Sequence, residues 1–521
     1  MQENDQRLSG SGHDQGGHGD LAALDPSGRL YNEDLAPAGA DDRQWNGYSL
    51  FALWMNDAHN MGDYAFAAAL FATGLSAWEV TVGLLAGNLI VFGCCVLSGF
   101  MGRDTGVPFA VVSRISWGVY GANVPALIRA IAAILWYGIQ TYVASAALNA
   151  IFLRFIPSMA PLSHHSFLGL DLLSWISFII LWAIQLVVVS RGMNAVRHFQ
   201  GWSGPVIWGV MIALAIWLVV KAHGHISLTA SAKHLSGGQQ LYHTFAAAGL
   251  MIGLLSPLIL NFSDFARFAP SRRAVVRGNF WGLPVNWTLF GLTSVVISSG
   301  SVAVYGKVIT NPADLFQFMS NDVLLLVGAL VLALAAVGVN IVANFVSPAF
   351  DIANVWPKRI SFRIGGIITA IIALASLPWK IYSTPAVITY FLGGIGALLG
   401  PLFGVMLVDY FVLRREQVRI PDLFTPDGRS IYYYRKGVNP IAVAAFIPAA
   451  VCSVIVAFIP AFSKAAPFAW FVGTGISALL YLIIGRGRIT PLDTTRQSPE
   501  SPWMAQSSGP ANETEPPYAA G

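Results

Sequence analysis

The chain has 521 residues, of which 55% are hydrophobic and only 11% charged, with a formal net charge of +4. Soluble domains carry roughly 25% charged residues, and the mean hydropathy here is +0.61, so a water-solvated globule is excluded and lipid is the expected solvent. No long basic run invites nucleic acid.

Residues 1–45 are polar and lack the apolar core of a cleavable signal peptide, so they are expected to be a disordered cytoplasmic tail. A membrane span needs about 20 mostly apolar residues. Twelve candidate segments follow, near 48–74, 77–101, 124–153, 172–190, 203–221, 242–263, 279–304, 322–350, 362–378, 385–412, 438–460 and 467–485. With both termini inside, the inner loops hold seventeen basic residues, from Arg103 to Lys436, and the outer loops six, among them Arg154, Lys221, Lys233 and Lys307. That bias is the positive-inside pattern, and adding or removing one segment would spoil it. It predicts an inner-membrane, multi-pass protein with cytoplasmic ends. Residues 487–521, rich in Pro, Ser, Thr and Glu, are expected to be a second disordered tail.

Segment 1 contains NDAHNMGD, with Asn56, Asp57, His59, Asn60 and Asp63 in the middle of an apolar run. Charge at that depth costs at least ~2.5 kcal/mol per group. A polar interruption there marks a site or water-lined backbone, unless segment 1 is simply shorter and this is its outer end. Segment 6 carries Gly249, Gly253, Ser256 and Pro257, then Asn261 and Asp264. Interruptions at matching places in two halves point to a transporter site, although no residue-level repeat is visible.

Segment 3 reads ILWYGIQTY, which puts Trp136 and Gln140 four residues apart on one helical face. An indole offers a flat stacking surface, and a carboxamide both donates and accepts. The pair suits a planar ring with amide edges; packing and interhelical bonding are the alternatives. Asn340 and Asn344 repeat the spacing in segment 8. They either read a ligand or cross-link helices, since each buried amide needs a partner. Gly396, Gly400 and Gly404 in segment 10 form a small-residue surface for close helix contact. Cys94, Cys95 and Cys452 have no metal-ligand spacing, and neither HxxxH nor ExxH occurs in the segments, so neither a metal nor a catalytic site is expected.

LYNEDLAP (30–37), LWYGIQTY, NFSDFARF, NFVSPAF and GPLFGVMLVDYFVLRR (400–415) occur in this order, and together they resemble the nucleobase:cation symporter-1 family from about residue 30 to 486. The resemblance implies an all-α, LeuT-like membrane fold of two inverted five-helix repeats, over 46–222 and 240–412, with discontinuous segments 1 and 6. A basic loop at 413–437 and two extra helices at 438–486 complete it. It implies a secondary transporter importing a planar heterocycle of the uracil, cytosine, purine or allantoin type. The same fold could instead carry a thiamine-precursor pyrimidine, or a hydantoin with sodium; a membrane enzyme or channel is the more distant reading. No cofactor is expected beyond a co-transported cation, and the protein should be a monomer or weak oligomer in the bilayer.

Carried over by position, the substrate-binding set is Trp136, Gln140, Asn344, Asn60, Asn340 and Leu255. Leu255, nine residues before Asp264, stands where the hydantoin permease has a second Trp. Gly338 and Val339 stand where sodium-coupled members have two adjacent hydroxyl side chains. The sodium site therefore looks incomplete, and protons are favoured over sodium, with Asp57, His59 and Asp63 as the coupling cluster.

Overall fold

The computed structural model describes residues 24–228, 235–309, 315, 321–382 and 385–491. Lys233, residues 1–23 and residues 492–521, and with them most of the two expected tails, lie outside the described residues.

Among the described residues, ten helices are long and apolar enough to cross a membrane, and two shorter apolar helices, Gly62–Ala72 and Phe362–Ala375, fall within the remaining expected segments. Segment 1 is two helices of 12 residues each, Gly47–Ala58 and Met61–Ala72. Segment 2 is Ala77–Thr105, opened by a Ser76/Glu79 capping box that satisfies orphan backbone donors. Segments 3, 4 and 5 are Asn123–Phe155, Leu172–Ser190 and Met193–Lys221. Segment 6 runs through Pro257 as Gly237–Asn261, turns at Phe262 and resumes as Ser263–Ala266. Its interruption is thus near its C-terminal end rather than at Pro257.

Segments 7, 8 and 10 each contain a π-helical stretch: Trp281–Trp287, Asn340–Phe345 and Val408–Leu413. Segment 9 is Phe362–Ala375, and segments 11 and 12 are Pro440–Phe458 and Ala469–Gly485. A short buried helix, Phe109–Trp117, fills the loop between segments 2 and 3. A two-stranded hairpin, Ser166–Phe167 with Leu170–Asp171, decorates the loop between segments 3 and 4.

Packing sorts the helices into two groups. Segments 1, 6 and 7 pack on segment 2, and segment 1 on segment 7, while segments 3, 4, 8 and 9 contact one another. Segment 5 packs on segment 1, and segment 10 packs on segment 6. Each helix of the first five therefore has its counterpart five places later in an equivalent position, the arrangement of an internal repeat. Segments 11 and 12 lie against segment 10, where added Cβ atoms at Gly400 and Gly404 would meet the Trp470 carbonyl at 2.5 Å and the Ser477 hydroxyl at 2.2 Å. Those glycines are there to let backbones approach.

One expected boundary is corrected. Residues 24–45 are not a disordered tail. Leu30, Leu35, Ala38 and Trp45 are buried. Asn32 donates to the carbonyls of Pro357 and Ile360 at 2.7 and 2.9 Å, and the Asp34 carboxylate accepts from the Phe362 amide at 2.7 Å. The Ala38 amide donates to Gly106, and that of Trp45 to Phe268. This strap joins the loops after segments 2, 6 and 8. Four isolated apolar anchors suffice to hold it because its backbone bonds are satisfied by those loops.

Candidate functional site

The break in segment 1 lies at its midpoint. The first half ends at His59, whose φ of −90° and ψ of 52° leave the helix. Asn60 is extended and caps the second half: its Oδ1 accepts from the amides of Gly62 and Asp63 at 2.8 and 3.1 Å. A side-chain oxygen at this position replaces the backbone acceptor missing at a helix start. The Asn60 Nδ2 donates to the Asp57 carbonyl at 2.5 Å and to the Asp63 carboxylate at 2.7 Å. One asparagine thus organises both ends of the break.

Gln140 reaches the same residue from segment 3, its Nε2 donating to Asn60 Oδ1 at 3.3 Å. Gly62 lies against both groups; a Cβ there would sit 3.1 Å from Asn60 Oδ1 and 3.2 Å from Gln140 Nε2. One turn from Gln140, Trp136 lines a cavity of about 150 Å³ together with Phe66, Gly249, Gly253, Leu254 and Gly396, among others. A cavity of that volume holds one benzene-sized ring.

Asp57, His59 and Asp63 are all buried. Among the described residues, Asp57 Oδ2 and His59 Nδ1 have no hydrogen-bond partner. His59 Nε2 is 3.1 Å from Asn286 Oδ1, which also accepts from the Trp208 indole at 2.6 Å. With that oxygen facing it, Nε2 carries the hydrogen and Nδ1 is the open lone pair. The imidazole is wedged between Trp208 and Phe290, each with its ring centroid 4.8 Å away. His59 and the two aspartates thus face different neighbours: Asn60 bonds the Asp63 carboxylate and the backbone carbonyl of Asp57, and the imidazole leans on segments 5 and 7.

In segment 8, Asn340 donates to the Tyr137 carbonyl at 3.2 Å and to the Thr141 hydroxyl at 3.0 Å, and Asn344 donates to Asn340 at 3.0 Å. Both asparagines are in the π-helical stretch, a feature frequent at functional sites. Asn340 is engaged in cross-linking segments 3 and 8, so the two-amide stripe divides its work.

Gly338 is packed against Asn56, where a Cβ would stand 2.5 Å from Oδ1. The Asn56 amide is itself bonded to segment 5: Nδ2 donates to the Gln200 carbonyl at 3.0 Å, and Oδ1 accepts from Ser203 at 2.6 Å. Val339 is buried and likewise offers no side-chain oxygen. The Asn56 amide occupies the space beside Gly338.

Of the six sequence-derived residues, Trp136 lines the cavity, and Asn60, Gln140, Asn340, Asn344 and Leu255 are not among its lining residues. On segment 6, Gly253 and Leu254 line it, whereas the neighbouring Leu255 is 4% exposed. Counting from Asp264 crosses the turn at Phe262, so it loses the rotational phase of the helix, in which one residue is about 100°. Phe66 was missed. It lies six residues beyond Asn60 in an alanine-rich apolar run, with nothing local to set it apart from packing residues.

Fold and site define the class: a multi-pass membrane transporter with an internal five-plus-five repeat and a discontinuous first helix. The family described as a permease for cytosine/purines, uracil, thiamine and allantoin matches residues 37–473. The chain is 38% identical over 462 residues to the allantoin permease of Bacillus subtilis, covering 88% of this chain and 94% of that one. It is 32% identical over 445 residues to a purine-uracil permease of Arabidopsis thaliana, covering 85% and 74%. The solved structure of Mhp1, a nucleobase-cation-symport-1 family transporter in a closed conformation with bromovinylhydantoin bound, superposes with a TM-score of 0.72 at 22% identity. That match covers 88% of this chain and 95% of Mhp1, and it supports the LeuT-like fold. The chain belongs to this family of cytosine/purine, uracil, thiamine and allantoin permeases, and is a permease rather than an enzyme.

Proposed function

We propose that this permease is a symporter that imports a nucleobase-like heterocycle or cyclic ureide, with allantoin the first candidate. In this reading it has twelve membrane crossings in the cytoplasmic membrane and both ends inside. The observation that carries it is the junction of an aromatic slot with an amide pair: Trp136 and Phe66 line one ring-sized cavity, and Gln140, one turn away, meets Asn60 in the break of segment 1. Rings stack on the aromatic faces, while imide or ureide edges exchange hydrogen bonds with the carboxamides. A relative named for allantoin at 38% identity puts that ureide ahead of a thiamine-precursor pyrimidine.

Protons are the coupling ion in this proposal. Gly338 leaves no room for a hydroxyl ligand beside Asn56, whereas Asp57 and Asp63 flank Asn60, the residue Gln140 touches. Protonating the Asp63 carboxylate would change the hydrogen bonding of Asn60, so an ion event and substrate contact share one residue. Coupling requires only that both ligands favour the same conformation.

The test is uptake of labelled allantoin into proteoliposomes, with competition by uracil, cytosine, adenine, hydantoin and hydroxymethylpyrimidine. Accumulation driven by an inward proton gradient supports the proposal. Accumulation driven by sodium alone removes proton coupling, and uptake unaffected by every competitor removes the shared heterocycle site.

A further inference from the structure

Segment 7 begins with three arginines whose surroundings differ. Arg272 is held by the carboxylates of Asp104 and Glu416. Arg273 and Arg277 are exposed, and among the described residues no hydrogen bond or ion pair engages either guanidinium. They are four apart, and Trp281 is four further, so the three form one stripe along the helix.

That stripe is one wall of a groove of about 610 Å³; Tyr48 and Phe51 of segment 1 form the other, and Ser271 lies at its end. Trp281 is 55% and Tyr48 50% exposed, and Phe280 beside them is 42% exposed. The groove thus has two unneutralised cations at the loop end of a membrane helix and aromatic walls toward its apolar part. Trp and Tyr with such exposure belong at headgroup level, and basic pockets between membrane helices on the cytoplasmic side attract anionic headgroups.

We propose that this groove is a binding site for an anionic phospholipid of the inner leaflet. The phosphodiester sits between Arg273 and Arg277, and the acyl chains run along Tyr48, Phe51 and Trp281. A free phosphate would use the arginines but leave the aromatic walls without a partner, so the lipid is the source the groove fits. Gly278, on the same helix, packs so closely on the first half of segment 1 that an added Cβ would meet the Leu50 side chain. A lipid seated here bridges the first half of segment 1 to segment 7.

The experiment is native mass spectrometry and thermal unfolding of the purified full chain. Phosphatidylglycerol or phosphatidylcholine is added, with glycerol 3-phosphate as the soluble headgroup. Phosphatidylglycerol should bind and raise the unfolding temperature, and phosphatidylcholine and glycerol 3-phosphate should not. Arg273→Gln/Arg277→Gln should weaken phosphatidylglycerol binding roughly 30-fold, taking about 1 kcal/mol per basic residue. Arg273→Lys/Arg277→Lys should retain most of it, and Arg435→Gln, in another cytoplasmic loop, all of it. Unchanged phosphatidylglycerol binding in the double Gln variant overturns the site. An equal shift with glycerol 3-phosphate overturns the lipid as its occupant.

Discussion

The side-chain nitrogen of Gln140 donates to the same oxygen of Asn60 that caps the second half of segment 1. A residue of segment 3 is therefore bonded to the element that defines the break. A ligand competing for Gln140 would act directly on the helix cap, which gives substrate binding a mechanical route to segment 1.

Replacing Gln140 by Ala should weaken substrate binding by roughly 10-fold or more, since a lost hydrogen bond at a buried site costs about 1–3 kcal/mol. Binding followed by tryptophan quenching measures it. Unchanged affinity would remove Gln140 from the site.

Asn60→Ala should be worse in two respects, losing the cap as well as the contact. A cap is worth about 1 kcal/mol, and the Asp63 carboxylate would lose its 2.7 Å donor. The variant should show a lower unfolding temperature than Gln140→Ala, together with impaired transport.

Phe66 and Trp136 should be coupled. Each alanine variant should reduce affinity, and the double variant should lose less than the sum of the two, because a ring held between two faces loses its order when either face goes. Aromatic contacts of this kind contribute about 0.5–1.5 kcal/mol beyond area. A double-mutant cycle on substrate affinity gives the coupling directly; strict additivity would mean that the two aromatics do not share a ligand.

Gly338→Ser should lower stability without conferring sodium dependence, since the new Cβ enters contact range of the Asn56 amide. Overpacking of this kind costs about 1–3 kcal/mol. Unfolding temperature with and without sodium, beside sodium-driven uptake, checks both halves; a sodium-dependent gain would show that the site needs only the hydroxyl.

Arg129 is buried in segment 3 with Asp264 and Asp351 as its electrostatic neighbours, and it donates to the Ala343 carbonyl at 2.7 Å. Both Asp351 oxygens lack a hydrogen-bond partner among the described residues. Arg129→Met should lower stability by removing the cation beside these acidic groups, and Arg129→Met/Asp351→Asn should recover part of it. Yield and thermal stability in detergent measure this.

Segment 1 shows how much the sequence could tell. NDAHNMGD interrupts an apolar run, and the helix does break between His59 and Asn60. That Trp136 and Gln140 share a helical face follows from their spacing alone, because residues four apart do so whatever the tertiary fold. Membrane residence and the apolar segments follow from composition, since backbone in lipid must satisfy itself within each helix.

Tertiary structure decided the rest. Phe66 lines the cavity only because its helix half faces Trp136, some seventy residues away. Segment 6 presents Gly253 and Leu254 rather than Leu255 to that cavity, because packing sets the rotation of the helix. LYNEDLAP became a strap because Asn32 and Asp34 meet loops more than 300 residues distant. The physical reason is common to all three. Hydrogen bonding within a helix is local and is written in local sequence, whereas the phase and partner of each helix depend on side-chain packing between segments far apart in the chain.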